Sequence, residues 1–296
     1  MKMLDKDKNI DKNKIINRII YLILIFLIIL SSLYIARSFV SKKEAENERN
    51  LLNTINVENE LAETNKEDNE ENNNNENVEI LNSQENEKKS EEQIKKEKEA
   101  ESIKRISQVT KLKEEYKDII GWIEIEDTHI SYPVVQGKDN DFYLTHNYKG
   151  DRAERGAIFL DSNYDWNIKR NNLMIYGHYM INNEMFTDLT KYVEENYYKE
   201  HPTIRFTTDK EDAAYDIIAV FRSKVYNKNE KDVFKYYNFI NSESEKEYNN
   251  FIKNIKKASI YDIKETAKYG DELITLTTCS YYTEDGRFVV VGRKKM

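Results

Sequence analysis

The chain has 296 residues, 34% of them Asp, Glu, Lys or Arg and 39% apolar, with a formal net charge of -8. An acidic balance without a dense basic stripe argues against a nucleic-acid-binding protein. A single cysteine excludes an intramolecular disulfide, and the length allows a sizeable core.

The first 18 residues are basic, with Lys2, Lys6, Lys8, Lys12, Lys14 and Arg18, and are expected to be a cytoplasmic N-terminus. The apolar run from Ile19 to Ile35 follows, broken only by Ser31 and Ser32. Extended toward Ile15 and Val40 it is long enough to cross a bilayer. No Ala-x-Ala site follows it, so an uncleaved anchor over 19–40 is expected rather than a signal peptide. Only Arg37, Lys42, Lys43 and Arg49 lie just beyond, a bias that puts the N-terminus inside and the body outside a single-pass cell membrane.

Residues 41–100 are dominated by Asn, Glu and Lys, as in EDNEENNNNENVE over 67–79. So little apolar surface cannot offset the entropy of ordering, which predicts a disordered or partly helical stalk. Its end grades into a helix whose Ile103, Ile106, Val109 and Leu112 recur at spacings of three, which predicts packing on a domain spanning 101–296.

From Ile119 the texture changes to short β-branched and aromatic runs: GWIEIEDTHISYPVVQ, GAIFLDS, NNLMIYGH, TIRFTT, AAYDIIAVFRSKVY, DELITLTTCS and GRFVVVGRK. Helical periodicity marks 182–201 and 242–259, with Phe239, Ile240, Phe251 and Ile255 suiting one buried side of the second region. Many strands with few helices predict a mainly β fold, a closed barrel of about eight strands with peripheral helices, because closure removes exposed edges. No internal repeat or glycine-rich phosphate loop is present.

Cys279 ends the strand-like ITLTTC, where a rigid element can hold a nucleophile at a rim. An unpaired thiol outside the cell suggests reactivity, although a small apolar filler is the bland alternative. Arg287 opens the next strand, so a hairpin between them would bring the guanidinium beside the sulfur; a solvated strand-start charge is the alternative. Among His129, His146, His178 and His201, only His178 follows an apolar strand and a glycine, the same strand-end setting as Cys279. The other three sit in polar turns or at a helix end. One cysteine and scattered histidines do not make a closed zinc site, and no clustered carboxylates suggest calcium.

These motifs resemble the sortase family. TLTTC at 275–279 matches the signature TLxTC, Arg287 fits the family's essential arginine, and YGH at 176–178 fits the region of its histidine. With YPVVQGKDNDFYL at 132–144, EMF at 184–186 and a helix before the final hairpin, the pattern over Ile103 to Lys295 looks most like class B. The resemblance implies a cysteine transpeptidase that needs no cofactor. Cys279 would attack the threonine carbonyl of a C-terminal sorting signal in a secreted protein, His178 would serve as acid and base, and Arg287 would steady the oxyanion. The acyl group would pass to an amine of a lipid II-like peptidoglycan precursor. Asn140, Leu144, Tyr176 and Thr277 would line the peptide groove, with Leu144 and Tyr176 equally readable as core.

A pilin-polymerising sortase is the nearest alternative, but such enzymes carry an Asp-Pro-aromatic lid, and neither Pro133 nor Pro202 follows an aspartate. A cysteine hydrolase and a stalked surface binding protein are the others. The Asn, Lys and Ile content suits an AT-rich, Gram-positive source.

Overall fold

The computed structural model describes residues 4–51, 91–167, 172–180, 182–242, 244–279 and 285–295. The chain forms two compact units, Met1–Glu48 and Arg49–Met296. Helix α1 (Leu4–Arg49) makes the first. Its apolar side chains from Ile19 to Ile35 are all exposed, and Asn17–Arg49 is long and apolar enough to be a candidate membrane span. The two serines inside it fit such a role: Ser31 and Ser32 Oγ donate to Ile28 O at 2.9 and 2.8 Å, so neither hydroxyl needs water. Most of the expected stalk, 52–90, lies outside the described residues.

In the second unit, α2 (Glu91–Glu115) precedes eight strands: β1 (Ile119–Glu124), β2 (Ser131–Val135), β3 (Ile158–Leu160), β4 (Asn172–Tyr176), β5 (Thr203–Thr207), β6 (Asp212–Lys224), β7 (Leu273–Cys279) and β8 (Gly286–Lys294). They close into a barrel in the order β1-β2-β3-β4-β7-β8-β6-β5, with β5 pairing back onto β1. The pairs β2/β3 and β4/β7 are parallel and the rest antiparallel. Period-2 alternation divides the strand side chains between layers. Phe288 and Val290 join Ile274 and Leu276 in one core, while Val289 and Val291 face a second.

That second core is covered by α4 (Glu245–Ala258), which lies between β6 and β7 in the chain. Ser244 caps it by accepting from Glu247 N at 3.3 Å, and acidic and basic residues occupy its first and last turns. Tyr248, Phe251, Ile252 and Ile255 are its buried stripe. Phe239 lies ahead of this helix, stacked on Phe251 with ring centroids 4.0 Å apart, and Ile240 is only half-buried. The periodic stretch 182–201 contains a 3-10 segment, Thr187–Val193, followed by the short α3 (Glu195–Glu200), in place of one continuous helix.

Helix α2 packs through Val109 and Leu112 against Ile119, Trp122, Val135 and Phe159. Ile103, expected on this face, is 64% exposed and Ile106 half-buried, so apolar packing fades toward the start of the helix. Polar contacts continue instead. Asp212 on β6, its side chain 2% exposed, accepts from Arg105 Nε and Nη2, Arg205 Nη1 and Thr207 Oγ1 at 2.7 to 3.0 Å. Burial alone would push its carboxyl up; the hydrogen bonds from Arg105 and Thr207 and the two guanidinium charges outweigh it and hold it below the usual range. Asp212→Asn should therefore cost about 2 kcal/mol at neutral pH. A depressed folded value makes this contribution complete above the unfolded carboxyl's range and lost as pH falls through the folded value. Urea titrations of the two proteins should differ at pH 7 and converge in acid. A constant difference would contradict an ionic clamp.

Candidate active site

Register explains why residues distant in sequence meet. Strands β4 and β7 run parallel with Tyr176 opposite Thr277, so both end at one rim of the barrel. Gly177 N extends the pairing by donating to Thr277 O at 3.1 Å, which places His178 just beyond β4 and Cys279 at the end of β7. Strand β8 starts at the same rim because it is antiparallel to β7, and the Cα of Arg287 is the partner of Cys279. The hairpin expected from the sequence is present; its loop, 280–284, lies outside the described residues.

Beside this rim is a groove of about 380 Å³, lined by Asn140, Leu144, Tyr176, His178, Thr277 and Arg287 together with Phe159, Gly177, Val225, Tyr236, Tyr237 and Thr278. Every groove residue expected from the sequence is among them. Leu144 is 38% exposed and Tyr176 half-buried, so neither is plain core. Tyr236 and Tyr237, unforeseen in the sequence, come from the connection between β6 and α4; Tyr236 Oη and Thr277 Oγ1 are 2.7 Å apart. Thr278, 2% exposed, has a hydroxyl next to this groove with no hydrogen-bond partner among the described residues.

His178 Nε2 lies 2.8 Å from Leu144 O. A carbonyl only accepts, so Nε2 carries the hydrogen and Nδ1 is the nitrogen through which the ring can exchange a proton. The carbonyl is itself held by close packing: Gly156, at φ +60, leaves room where an added Cβ would come within 2.8 Å of Leu144 O. Arg287 Nη1 donates to Asp285 O and Gly286 O at 3.2 and 2.9 Å. Among the described residues no carboxylate forms an ion pair with it, so its charge remains available to a developing anion. Tyr176 Oη donates to Asp161 Oδ2 at 2.9 Å. Burial first, and then the Asp161 carboxylate, push this phenol far above its usual range, with Arg287 pulling the other way. The hydroxyl thus keeps its proton at any working pH.

His129, His146 and His201 stand away from this groove. His129 Nδ1 pairs with Asp188 at 2.9 Å, His146 stacks on Phe142 with centroids 4.0 Å apart, and His201 meets Glu126 O at 3.0 Å. A cation and an imidazole lining a peptide-sized cleft, with a cysteine at the end of the strand that borders it, are the residue types that support acyl transfer through a thioester.

Comparison with known proteins agrees. Residues 123–295 match the family model described as a sortase domain. Sortase B of Listeria monocytogenes is 33% identical over 188 residues, which is 63% of this chain and 73% of that protein. The X-ray structure of Clostridium perfringens sortase B has a TM-score of 0.58 at 30% identity, covering 63% of this chain and 99% of that one. The Staphylococcus aureus sortase B-substrate complex has a TM-score of 0.57 at 25% identity, covering 68% of this chain and 97% of that one.

Proposed function

The chain belongs to the sortase family of cysteine transpeptidases, with class B members as its relatives, and on that premise we propose that Cys279, His178 and Arg287 perform the transfer. The Cys279 thiolate attacks the threonine carbonyl of a C-terminal sorting signal on a secreted protein. The carbonyl oxygen becomes an oxyanion facing Arg287. Collapse breaks the C–N bond after threonine; His178 gives its proton to the leaving amine, and the acyl group stays on sulfur. An amine of a peptidoglycan precursor, lipid II-like in character, then attacks the thioester. His178 takes the proton back, and the thiolate leaves. Asn140, Leu144, Tyr176 and Thr277 bind the signal peptide.

The domain plan proposed is a cytoplasmic segment 1–18, an anchor 19–40, a stalk 41–100 and a catalytic domain 101–296 on the outer face of a Gram-positive cell membrane. The shared rim of β4, β7 and β8 supports the reading: His178 follows β4, Cys279 ends β7 and Arg287 opens β8 at that rim, and His178 and Arg287 line the adjoining groove.

The test is product analysis with the full-length chain in detergent, a panel of threonine-containing sorting-type peptides and an amine acceptor. Cleavage after threonine with acceptor joined to the released acyl part is expected. Acid product alone at saturating amine would instead make the chain a hydrolase. Arg287→Lys keeps a charge but loses the planar fork, and should lower kcat by about 10²- to 10³-fold with a smaller change in KM. Equal kcat values would remove Arg287 from oxyanion stabilisation.

A further inference from the structure

We propose that Asp161 is a positioning residue of this active site, fixing the hydrogen-bond directions of Tyr176 and Asn140 so that the groove offers a peptide one acceptor beside one donor. The inference rests on the groove being the peptide site. Asp161 follows β3 and is 3% exposed. Its Oδ2 receives Tyr176 Oη at 2.9 Å and Asn140 Nδ2 at 3.0 Å, while Oδ1 receives both Asn163 N and Asn163 Nδ2 at 2.9 Å. Its backbone is pinned as well: Asp161 N donates to Met174 O at 2.9 Å, and its carbonyl accepts from Tyr164 N at 3.0 Å and Gln136 Nε2 at 3.2 Å. Among the described residues no lysine or arginine pairs with this carboxylate, and the four donors that reach it are neutral. A buried charge held that way is costly for stability, which favours a role at the site it adjoins.

An ionised carboxylate only accepts, so both groove residues must turn hydrogens toward it. The single hydroxyl hydrogen of Tyr176 is thereby committed, and the phenol oxygen can offer the groove only an acceptor. Asn140 is oriented twice: its Oδ1 accepts from Ser162 N at 2.8 Å, and one Nδ2 hydrogen goes to Asp161. The second Nδ2 hydrogen remains as a donor. An acceptor next to a donor complements an extended peptide unit, which carries one N–H and one C=O. Without Asp161, the phenol could rotate its hydrogen toward the peptide N–H and repel it.

The experiment compares wild type, Asp161→Asn, Tyr176→Phe, Asn140→Ala and their combinations in the full-length chain, reading kcat and KM for a cleaved peptide and the pH profile of Cys279 alkylation by iodoacetamide. In Asp161→Asn the amide NH2 must face two of the four donors, so KM should rise about tenfold with kcat within about threefold, and the alkylation profile should not move. In the Tyr176→Phe, Asn140→Ala background the same change should alter KM less than about twofold, because the residues it acts through are gone. An unchanged KM, a fall confined to kcat, or full additivity would overturn the proposal. If Asp161→Asn does not fold, the Tyr176→Phe and Asn140→Ala pair decides: non-additive KM effects support a shared anchor, and additive ones overturn it. Failure of wild type to cleave any peptide would sink the transfer reading itself, whereas normal wild-type cleavage with an indifferent Asp161→Asn sinks only this inference.

Discussion

Peptide turnover by Cys279→Ala should fall by on the order of 10⁴-fold or more, because Cys279 is the chain's single cysteine and no other side chain can form the thioester. The fold should survive. The β7/β8 pairing at Cys279 and Arg287 is made by backbone groups that alanine retains. Peptide affinity, measured by fluorescence anisotropy, should stay within severalfold of wild type, since the groove residues are untouched. His178→Ala should lose turnover as well, with its largest effect on the leaving-group step. A folded Cys279→Ala that still cleaves would reassign the nucleophile. One that binds peptide, matched by a wild type that never cleaves, would favour the surface binding protein.

Gly177→Ala should damage both stability and catalysis. A Cβ there would fall 2.7 Å from Phe186 Cδ2 and closer still to Ile158 Cδ1, both side chains in the barrel core. Phe186 cannot easily give way: it is fully buried, and its N–H donates to His178 O at 3.0 Å. Overpacking of this kind costs about 1–3 kcal/mol. The strain also has a direction, because Gly177 N is tied to Thr277 O and the next residue is His178. A displaced imidazole should cost roughly 10²-fold in kcat beyond what lost folded protein explains. Gly150→Ala is the control: its φ is +86 with open space around it, so it should cost stability by about 1 kcal/mol without a matching loss in kcat per folded molecule. Equal behaviour of the two variants in denaturant midpoint and kcat would contradict steric control of His178 by Gly177.

Much of the site was legible because it is built from strand ends. Short runs rich in β-branched, aromatic and other apolar residues mark β4, β7 and β8, and a short link between β7 and β8 makes Cys279 and Arg287 neighbours without tertiary information. His178 needed one more step. That β4 lies parallel to β7 is set by a crossover of nearly a hundred residues, which periodicity does not reveal, so only its strand-end setting and the motif singled it out. Tyr236 and Tyr237 escaped notice because they sit in a connection without a repeating pattern, and their value arises from where that connection folds. Asp161 lies near the end of the strand-like run GAIFLDS, where nothing in the sequence sets it apart, and only the convergence of Asn140, Asn163 and Tyr176 gives it a role. Ile103 shows the opposite error: its spacing fits a buried stripe, but the apolar packing of α2 is carried by Val109 and Leu112.

The most direct measurement is intact-protein mass spectrometry of the full-length chain after brief exposure to a cleavable sorting-type peptide without amine acceptor. The expected result is added mass equal to the peptide up to its threonine, mapped to Cys279, released by hydroxylamine and absent from Cys279→Ala. Cleavage of the peptide with no adduct, by a protein whose Cys279 is also inert to alkylation, would contradict thioester chemistry at this residue.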